Sequence, residues 1–228
     1  MWTYQSYLDL VKEGMEENCT FFLRHDVDIS IKKAVELAEI EADKNLHSTY
    51  YILLSSPFYN ALCDTNIQRI KTIRELGMGI GLHYDPSLCK DGNDRMVSEI
   101  VMQTRLLESY IGELNGISVT FHKPVMGKEV DEELIKKLDE VDIYCPNYDT
   151  RFKYISDSGH NWRENPHDTF VECDYVHMNT HPEWYTHVGL EMEECLHDLD
   201  LDKDADKLIQ REIKEIRQYR EKINGPQV

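Results

Sequence analysis

The sequence is short of positive charge and has no long apolar run. Its 228 residues carry 25 Lys and Arg against 43 Asp and Glu, a formal net charge of −18. A chain this acidic lacks the basic surface that a binder of the phosphate backbone requires, so we expect no nucleic-acid partner. No apolar run approaches the roughly 18 residues of a membrane-spanning helix, which predicts no membrane span.

A secretory signal and paired cysteines are also missing. The N-terminal stretch MWTYQSYLDLVKEG lacks the basic and apolar regions of a signal peptide. The six cysteines include no C-x-x-C pair, which excludes a zinc ribbon and a thioredoxin-type redox motif. We therefore predict a cytoplasmic protein with reduced, mostly buried thiols.

The chain contains no internal repeat and no Gly/Ser-rich linker, and 41% of its residues are hydrophobic. This length and composition suit one large domain with a sizeable core. We predict a single domain over residues 1–228, with a C-terminal helix at about 205–224 packed on it. The oligomeric state is not predicted.

Short β-type runs alternate with helical patterns, as in βα units around a parallel sheet or barrel. The predicted strands are Cys19–His25, Ser48–Leu54, Gly79–His83, Ile117–His122, Asp142–Cys145, Thr169–Glu172 and Tyr175–His181. The predicted helices cover about Ser30–Lys44, Ile67–Leu76, Asp94–Leu114, Asp131–Leu138 and Ala205–Ile223.

Ionisable residues recur where these strand patterns end. They are Asp26, Asp28, His83, Asp85, His122 and His181. The carboxyl ends of the strands of an α/β barrel form one rim, and active sites lie there. Four segments that end in metal ligands or proton carriers therefore indicate a site at this rim.

Each segment also has a simpler explanation. Asp26 and Asp28 share one side of an extended strand, where one carboxylate can bind a metal while the other acts as a base. The simpler explanation is that both carboxylates offset the dipole of the helix that begins at Ser30. A lone histidine such as His83 or His122 more often packs or faces solvent than binds metal. One Asp with two His is nevertheless a common zinc or transition-metal set, so the combination favours a metal site.

Two later segments add candidates. His181 can serve as a general acid or base near neutral pH, or it can cap a turn beside a buried Trp184. His177 has the same strand parity and is an alternative. The segment 154–164 has the composition of a sugar-binding platform around Trp162, or that of an ordinary surface loop.

Taken in order, these residues resemble the polysaccharide deacetylases of the NodB-homology type, carbohydrate esterase family 4. The resemblance runs from Phe22 to Tyr185 and is closer to the branch found among polysaccharide and O-antigen biosynthesis proteins. It implies an α/β fold, an irregular (β/α)7 barrel, which agrees with the segment count. Five segments resemble the family's motifs: LRHDVD at 23–28, IGLHYD at 80–85, FHKPVMG at 121–127, SDSGHNW at 156–162 and THPEW at 180–184.

The resemblance implies that Asp26 is the catalytic base, that His181 is the general acid, and that Asp28 and His83 bind metal. The expected cofactor is a divalent metal, zinc in the first place, with cobalt, manganese or nickel as alternatives. Three aromatic residues are expected to stack on the sugar: Tyr84, Trp162 and Trp184. Asp157 is expected to bind a sugar hydroxyl or to orient His181.

Two departures from the family pattern affect the site. The second motif normally carries another His where this chain has Ser87, so we expect His122 to supply the third metal ligand, with Asp85 or His25 as alternatives. The third motif normally carries an Arg that orients the base, and Arg24 is the candidate replacement.

The expected activity is metal-dependent removal of an N-acetyl group from a sugar or glycan precursor, which in the cytoplasm is nucleotide- or lipid-linked. The alternative is a catalytically inactive, carbohydrate-binding relative on the same barrel. A hydrolase of a non-sugar amide or a phosphoester is less favoured, because two-metal phosphoesterases usually need more bridging ligands.

Overall fold

The computed structural model describes residues 2–114, 116–124, 130–199 and 206–224. Within these residues the strands are β1 Thr20–Val27, β2 Thr49–Leu53, β3 Gly79–Tyr84, β4 Ile117–Phe121, β5 Ile143–Tyr144, β6 Lys153–Ser156 and β7 Tyr175–Thr180. The helices are α1 Tyr4–Glu16, α2 Ile31–Asp43, α3 Asp64–Glu75, α4 Asn93–Ile111, α5 Glu132–Asp139, α6 Pro166–Glu172, α7 Met192–His197 and α8 Asp206–Asn224. Short 3₁₀ turns cover Pro86–Leu88, Pro146–Tyr148 and Pro182–Trp184.

The seven strands form one parallel sheet in the order β5-β4-β3-β2-β1-β7-β6. The sheet curls into a half-barrel whose edge strands are β5 and β6. The carboxyl ends of all seven strands therefore lie along one rim. The predicted irregular (β/α)7 barrel is confirmed.

Alternation along β1 sorts its side chains between two environments. His25 points to the helices, where it contacts Glu41 of α2 and the ring of Tyr7 of α1. Arg24 and Asp26 lie on the other side, which we call the inner side of the sheet. The inner side is thus polar near the rim, while the outer side packs against helices.

Helix α2 illustrates how the outer layer forms. Ser30 caps the helix by accepting a hydrogen bond from the backbone N–H of Lys33, a contact worth about 1 kcal/mol. Residues spaced three and four apart then form one apolar face toward the sheet. The buried members of this face are Ile31, Ala34, Leu37 and Ala38.

The predicted strand Thr169–Glu172 is wrong, because these residues end helix α6. Pro166 takes the first helical position, and the side chain of Asn165 caps the helix through the N–H of His167. The β-branched residues in this stretch favour a strand locally, but the cap and the burial of Phe170 against Phe21 outweigh that preference.

Three elements were not predicted: helices α1 and α7, and strand β6, which lies partly in the segment treated as a platform or loop. The C-terminal helix was predicted, and its residues Ile209, Ile213 and Ile216 are buried in the same apolar cluster as Met178 of β7. Position 205 of that prediction, and 125–127 of the third motif segment, lie outside the described residues. None of the described helices is long and apolar enough to cross a membrane.

Candidate active site

Three side chains at the ends of β1, β3 and β4 bring one ligand atom each to a common point. Asp28 Oδ1 lies 3.3 Å from His83 Nε2 and 3.2 Å from His122 Nδ1. The two imidazole nitrogens are 3.3 Å apart. In a tetrahedral zinc site with bonds of about 2.0–2.1 Å, neighbouring ligand atoms are about 3.3–3.4 Å apart. The triangle therefore has the dimensions of three corners of such a site.

The electrostatics of the triangle also fit a cation. Asp28 Oδ1 is buried and accepts no hydrogen bond that meets normal geometry, although it faces two imidazoles. Burial opposes the charged form of Asp28, but the nearby His122 outweighs it and holds the pKa of the carboxyl well below its usual range. For His122, burial lowers the pKa, and the Asp28 charge reverses this and raises it. A buried carboxylate flanked by two imidazoles is a set of ligands that a divalent metal can satisfy.

Contacts behind the triangle hold its members in place. His83 Nδ1 is 2.7 Å from Thr120 Oγ1, so its Nε2 is free to face Asp28. The backbone N–H of His122 donates to the carbonyl of Tyr84, extending the β3–β4 pairing by one residue. Ser56 Oγ donates to the carbonyl of Asp28 at 2.7 Å.

The alternative third ligands do not join the triangle. His25 faces the helices on the outer side of β1 and lies 2.6 Å from Thr180 Oγ1 through its second nitrogen. Asp85 accepts hydrogen bonds from the backbone and hydroxyl of Ser87 at the start of a 3₁₀ turn. The structure thus brings His122, rather than either alternative, together with Asp28 and His83.

Asp26 lies deeper than the triangle and is 3% exposed. The guanidinium of Arg24 donates to both of its oxygens, at 2.7 and 2.6 Å, which places an arginine on Asp26 as expected. Burial alone would raise the pKa of Asp26, but the charge and hydrogen bonds of Arg24, together with the nearby imidazoles of His83 and His181, outweigh burial and lower the pKa to about 2. Asp26 Oδ1 is 3.7 Å from His83 Nδ1, the nitrogen that faces away from Asp28.

His181 forms a tight pair with Asp157 at the end of β7. Its Nδ1 is 2.6 Å from Asp157 Oδ1, and its backbone N–H donates to Asp157 Oδ2. Tyr185 also donates to Asp157 Oδ2, at 2.9 Å. Burial disfavours the imidazolium, but the Asp157 carboxylate overcomes this and raises the pKa of His181 well above its usual value. His181 Nε2 lies 4.0 Å from Asp28 Oδ2, so this proton carrier faces the triangle.

The predicted substrate-binding residues are not brought together. Tyr84 is 1% exposed and its hydroxyl donates to Glu99, so it packs in the outer layer. Trp184 is 2% exposed and lies in the core, which leaves it no face for a sugar. Asp157 is engaged with His181. Trp162 is half-buried and stacks on Trp2 at 6.1 Å between ring centres.

Sequence reasoning missed three polar residues around Asp26. Thr120 and Asn179 donate to the carboxylate at 3.4 and 3.0 Å, and Asn147 accepts from Arg24 at 2.7 Å. Strand parity gives a signal for two of them, because Thr120 and Asn179 lie two residues before His122 and His181. Asn147 lies in a 3₁₀ turn, where no such period applies.

Comparisons with known proteins identify the fold. No protein-family model and no curated protein matches the sequence. The structure is similar to a mutant of a CE4 family pseudoenzyme with restored enzymatic activity, with a TM-score of 0.50 and 11% identity over 88% of this chain and 63% of that chain. The wild-type pseudoenzyme, from Bacillus anthracis, gives a TM-score of 0.49 at 11% identity over 88% of this chain and 61% of that chain. A peptidoglycan N-acetylglucosamine deacetylase gives 0.49 at 15% identity, over 87% and 82%.

This chain spans less than two thirds of the pseudoenzyme's length. At such low identity the similarity concerns the fold alone. Together with the parallel half-barrel and the triangle at its rim, it shows that the chain has the fold of carbohydrate esterase family 4.

Proposed function

We propose that this protein is a metal-dependent hydrolase that removes an N-acetyl group from a sugar. The observation that carries the proposal is the Asp28–His83–His122 triangle, beside which His181 Nε2 lies 4.0 Å from the second oxygen of Asp28. The triangle would supply three protein ligands to a bound metal, the number that catalytic zinc sites use. The fold similarity to an esterase family supports the same reaction class.

The chemistry divides between the triangle and His181. A divalent metal held by Asp28, His83 and His122, for which zinc suits the Asp and His donors, would supply Lewis acidity toward an acetyl carbonyl and a water. His181 protonates the nitrogen of the departing amine, which is otherwise a poor leaving group. Asp157 orients the imidazole through Nδ1 and stabilises its charged form, so that Nε2 presents the proton to the site.

The substrate follows from what surrounds the site. Trp162, half-buried and stacked on Trp2, is the candidate for contact with a sugar ring. The net charge of −18 disfavours a polyanionic polymer. All six cysteines are free, as a reducing compartment maintains them, which supports a cytoplasmic enzyme acting on a nucleotide- or lipid-linked N-acetyl sugar.

Elemental metal analysis tests the proposal before any substrate is known. We expect one metal per chain in wild-type protein after a brief zinc or cobalt soak, and none in His122→Ala. His47→Ala, which removes an exposed histidine, is the matched control and keeps the metal. Release of acetate from a panel of N-acetylated sugars then tests the reaction. A wild-type protein that takes up no metal refutes the proposal.

Ser87, where the resembled family carries a histidine, favours one other candidate. A catalytically inactive relative would bind an N-acetylated sugar without hydrolysing it. Saturable sugar binding with no acetate release, by protein shown to contain metal, identifies this second function.

A further inference from the structure

Asp28 is held differently from the other two ligands of the triangle. His83 lies within β3, and the backbone N–H of His122 continues the β3–β4 pairing. β1 ends at Val27, one residue before Asp28, and Val27 is also the last residue of β1 in its register with β2. The place of the Asp28 carboxylate in the triangle therefore depends on contacts from outside the sheet.

The segment between β2 and α3, residues 54–63, supplies two such contacts. Ser56 Oγ donates to the carbonyl of Asp28 at 2.7 Å. The hydroxyl of Tyr59 donates to the carbonyl of Val27 at 2.5 Å. Two side chains of one segment thus hold two consecutive carbonyls, at the point where β1 leaves the sheet.

Tyr59 also joins β1 to β2 at this point. While it donates to Val27, its hydroxyl accepts from the backbone N–H of Leu53, the last residue of β2, at 3.1 Å. A single oxygen atom therefore links the two strands beyond the last pair of their register, Val27 with Ile52. The Tyr59 ring packs against the apolar cluster that contains both of these residues, which keeps the hydroxyl in position.

The donor of Ser56 is fixed by the fold of its own segment. The backbone N–H of Ser56 donates to the carbonyl of Leu53 at 3.2 Å. Ser56 Oγ accepts from the backbone N–H of Phe58 at 3.2 Å, and its one hydrogen goes to the carbonyl of Asp28. The hydroxyl thus has a defined direction, and the segment around it a defined shape.

We propose that Ser56 and Tyr59 are positioning residues of the metal site. They fix the backbone where β1 ends, so that the carboxylate of Asp28 meets the two imidazoles of the triangle. Contacts behind a ligand raise metal affinity, because the ligand is already oriented when the metal arrives. The inference rests on the proposed function insofar as that function needs a metal at the triangle, but the substrate does not enter it.

Co²⁺ titration of two conservative variants tests the proposal. Tyr59→Phe keeps the ring and removes the hydroxyl, and Ser56→Ala removes the other donor. We expect the dissociation constant for Co²⁺ to rise about 10-fold in each variant, and further in the double variant, within the range of about 10- to 100-fold typical of residues that orient metal ligands. We also expect a changed absorption spectrum of the bound Co²⁺, because the Asp28 oxygen shifts relative to the metal.

Two hydroxyls on the outer side of the sheet provide matched controls. Tyr50→Phe and Ser48→Ala each remove a buried hydrogen bond to Glu41 of α2, away from the triangle. If Tyr59 has a purely structural role, Tyr59→Phe and Tyr50→Phe both lower the urea midpoint and both keep the Co²⁺ affinity of wild type. That pattern overturns the proposal for Tyr59, and wild-type Co²⁺ affinity in Ser56→Ala overturns it for Ser56.

These measurements also distinguish failure of the inference from failure of the proposed function. Wild-type protein that binds Co²⁺ but releases no acetate from any sugar contradicts the hydrolase, while the ratio of dissociation constants still decides the roles of Ser56 and Tyr59. Wild-type protein that binds no Co²⁺ overturns both.

Discussion

A buried histidine on the inner side of the sheet, His177, makes the stability of the protein depend on pH. The side chain is 2% exposed and makes T-shaped contacts with the Phe22 and Tyr154 rings, at 4.9 and 5.0 Å between centres. Its Nε2 has no hydrogen-bond partner. Burial, followed by the positive charge of Arg24, lowers the pKa of His177 to about 3.

The sign and size of the effect follow from this shift. In the unfolded chain a histidine has a pKa of about 6.5, so below that pH the unfolded state binds a proton that the folded state does not. The contribution of His177 is therefore fully present above pH 6.5 and is lost as the pH falls toward 3. The slope is about 1.4 kcal/mol per pH unit, and the loss between pH 7.5 and 4.5 is about 2.5 kcal/mol.

His177→Phe removes the titrating group and keeps an aromatic ring among aromatic neighbours. Urea unfolding of both proteins at intervals from pH 7.5 to 4.5 gives two curves of unfolding free energy. The difference between them isolates His177, because the other titrating groups are common to both. As the pH falls from 7.5 to 4.5, we expect the unfolding free energy of the wild type to decrease by about 2.5 kcal/mol more than that of the variant. A difference that does not change with pH refutes the reasoning.

Three further changes test the site. Arg24→Ala leaves the Asp26 carboxylate buried without its counter-charge, and we expect a loss of about 3–5 kcal/mol in urea unfolding, whereas the double change Arg24→Gln/Asp26→Asn recovers much of it. His181→Ala is expected to lower kcat at saturating metal by about 10²- to 10⁴-fold with unchanged Co²⁺ affinity; a larger effect on affinity than on kcat contradicts the acid role. Tyr185→Phe removes one donor to Asp157, for which we expect a loss of about 1 kcal/mol in unfolding free energy, and an unchanged value contradicts the importance of that hydrogen bond.

The barrel and the place of the site were predictable from the sequence because both depend on strand ends. In a parallel sheet these ends meet at one rim, so ionisable residues that follow separate strands converge whatever the details of packing. Asp28, His83 and His122 illustrate this, since they follow three different strands of the sheet, β1, β3 and β4, with β2 between the first two. Helix α6 shows the limit, because a capped proline start can turn a β-branched stretch into a helix.

The roles of individual side chains were harder to predict, because they depend on direction as well as place. Alternation puts Tyr84 on the opposite side of β3 from His83, a signal that argues against contact with the substrate. Trp184 is the last residue of a 3₁₀ turn, where no simple period indicates burial. Asp26 and Asp28 share one side of β1, but only the packed structure reveals that His83 lies with its two nitrogens toward different carboxylates.

The unequal lengths of the strands have a consequence for how folded molecules behave at high concentration. An open sheet exposes two edges, and unpaired backbone groups there are templates on which another chain can add a strand. Here the edge strands are the shortest of the seven, with two residues in β5 and four in β6. An incoming strand therefore finds few backbone groups in register, which protects the open half-barrel from edge-to-edge aggregation without closing it.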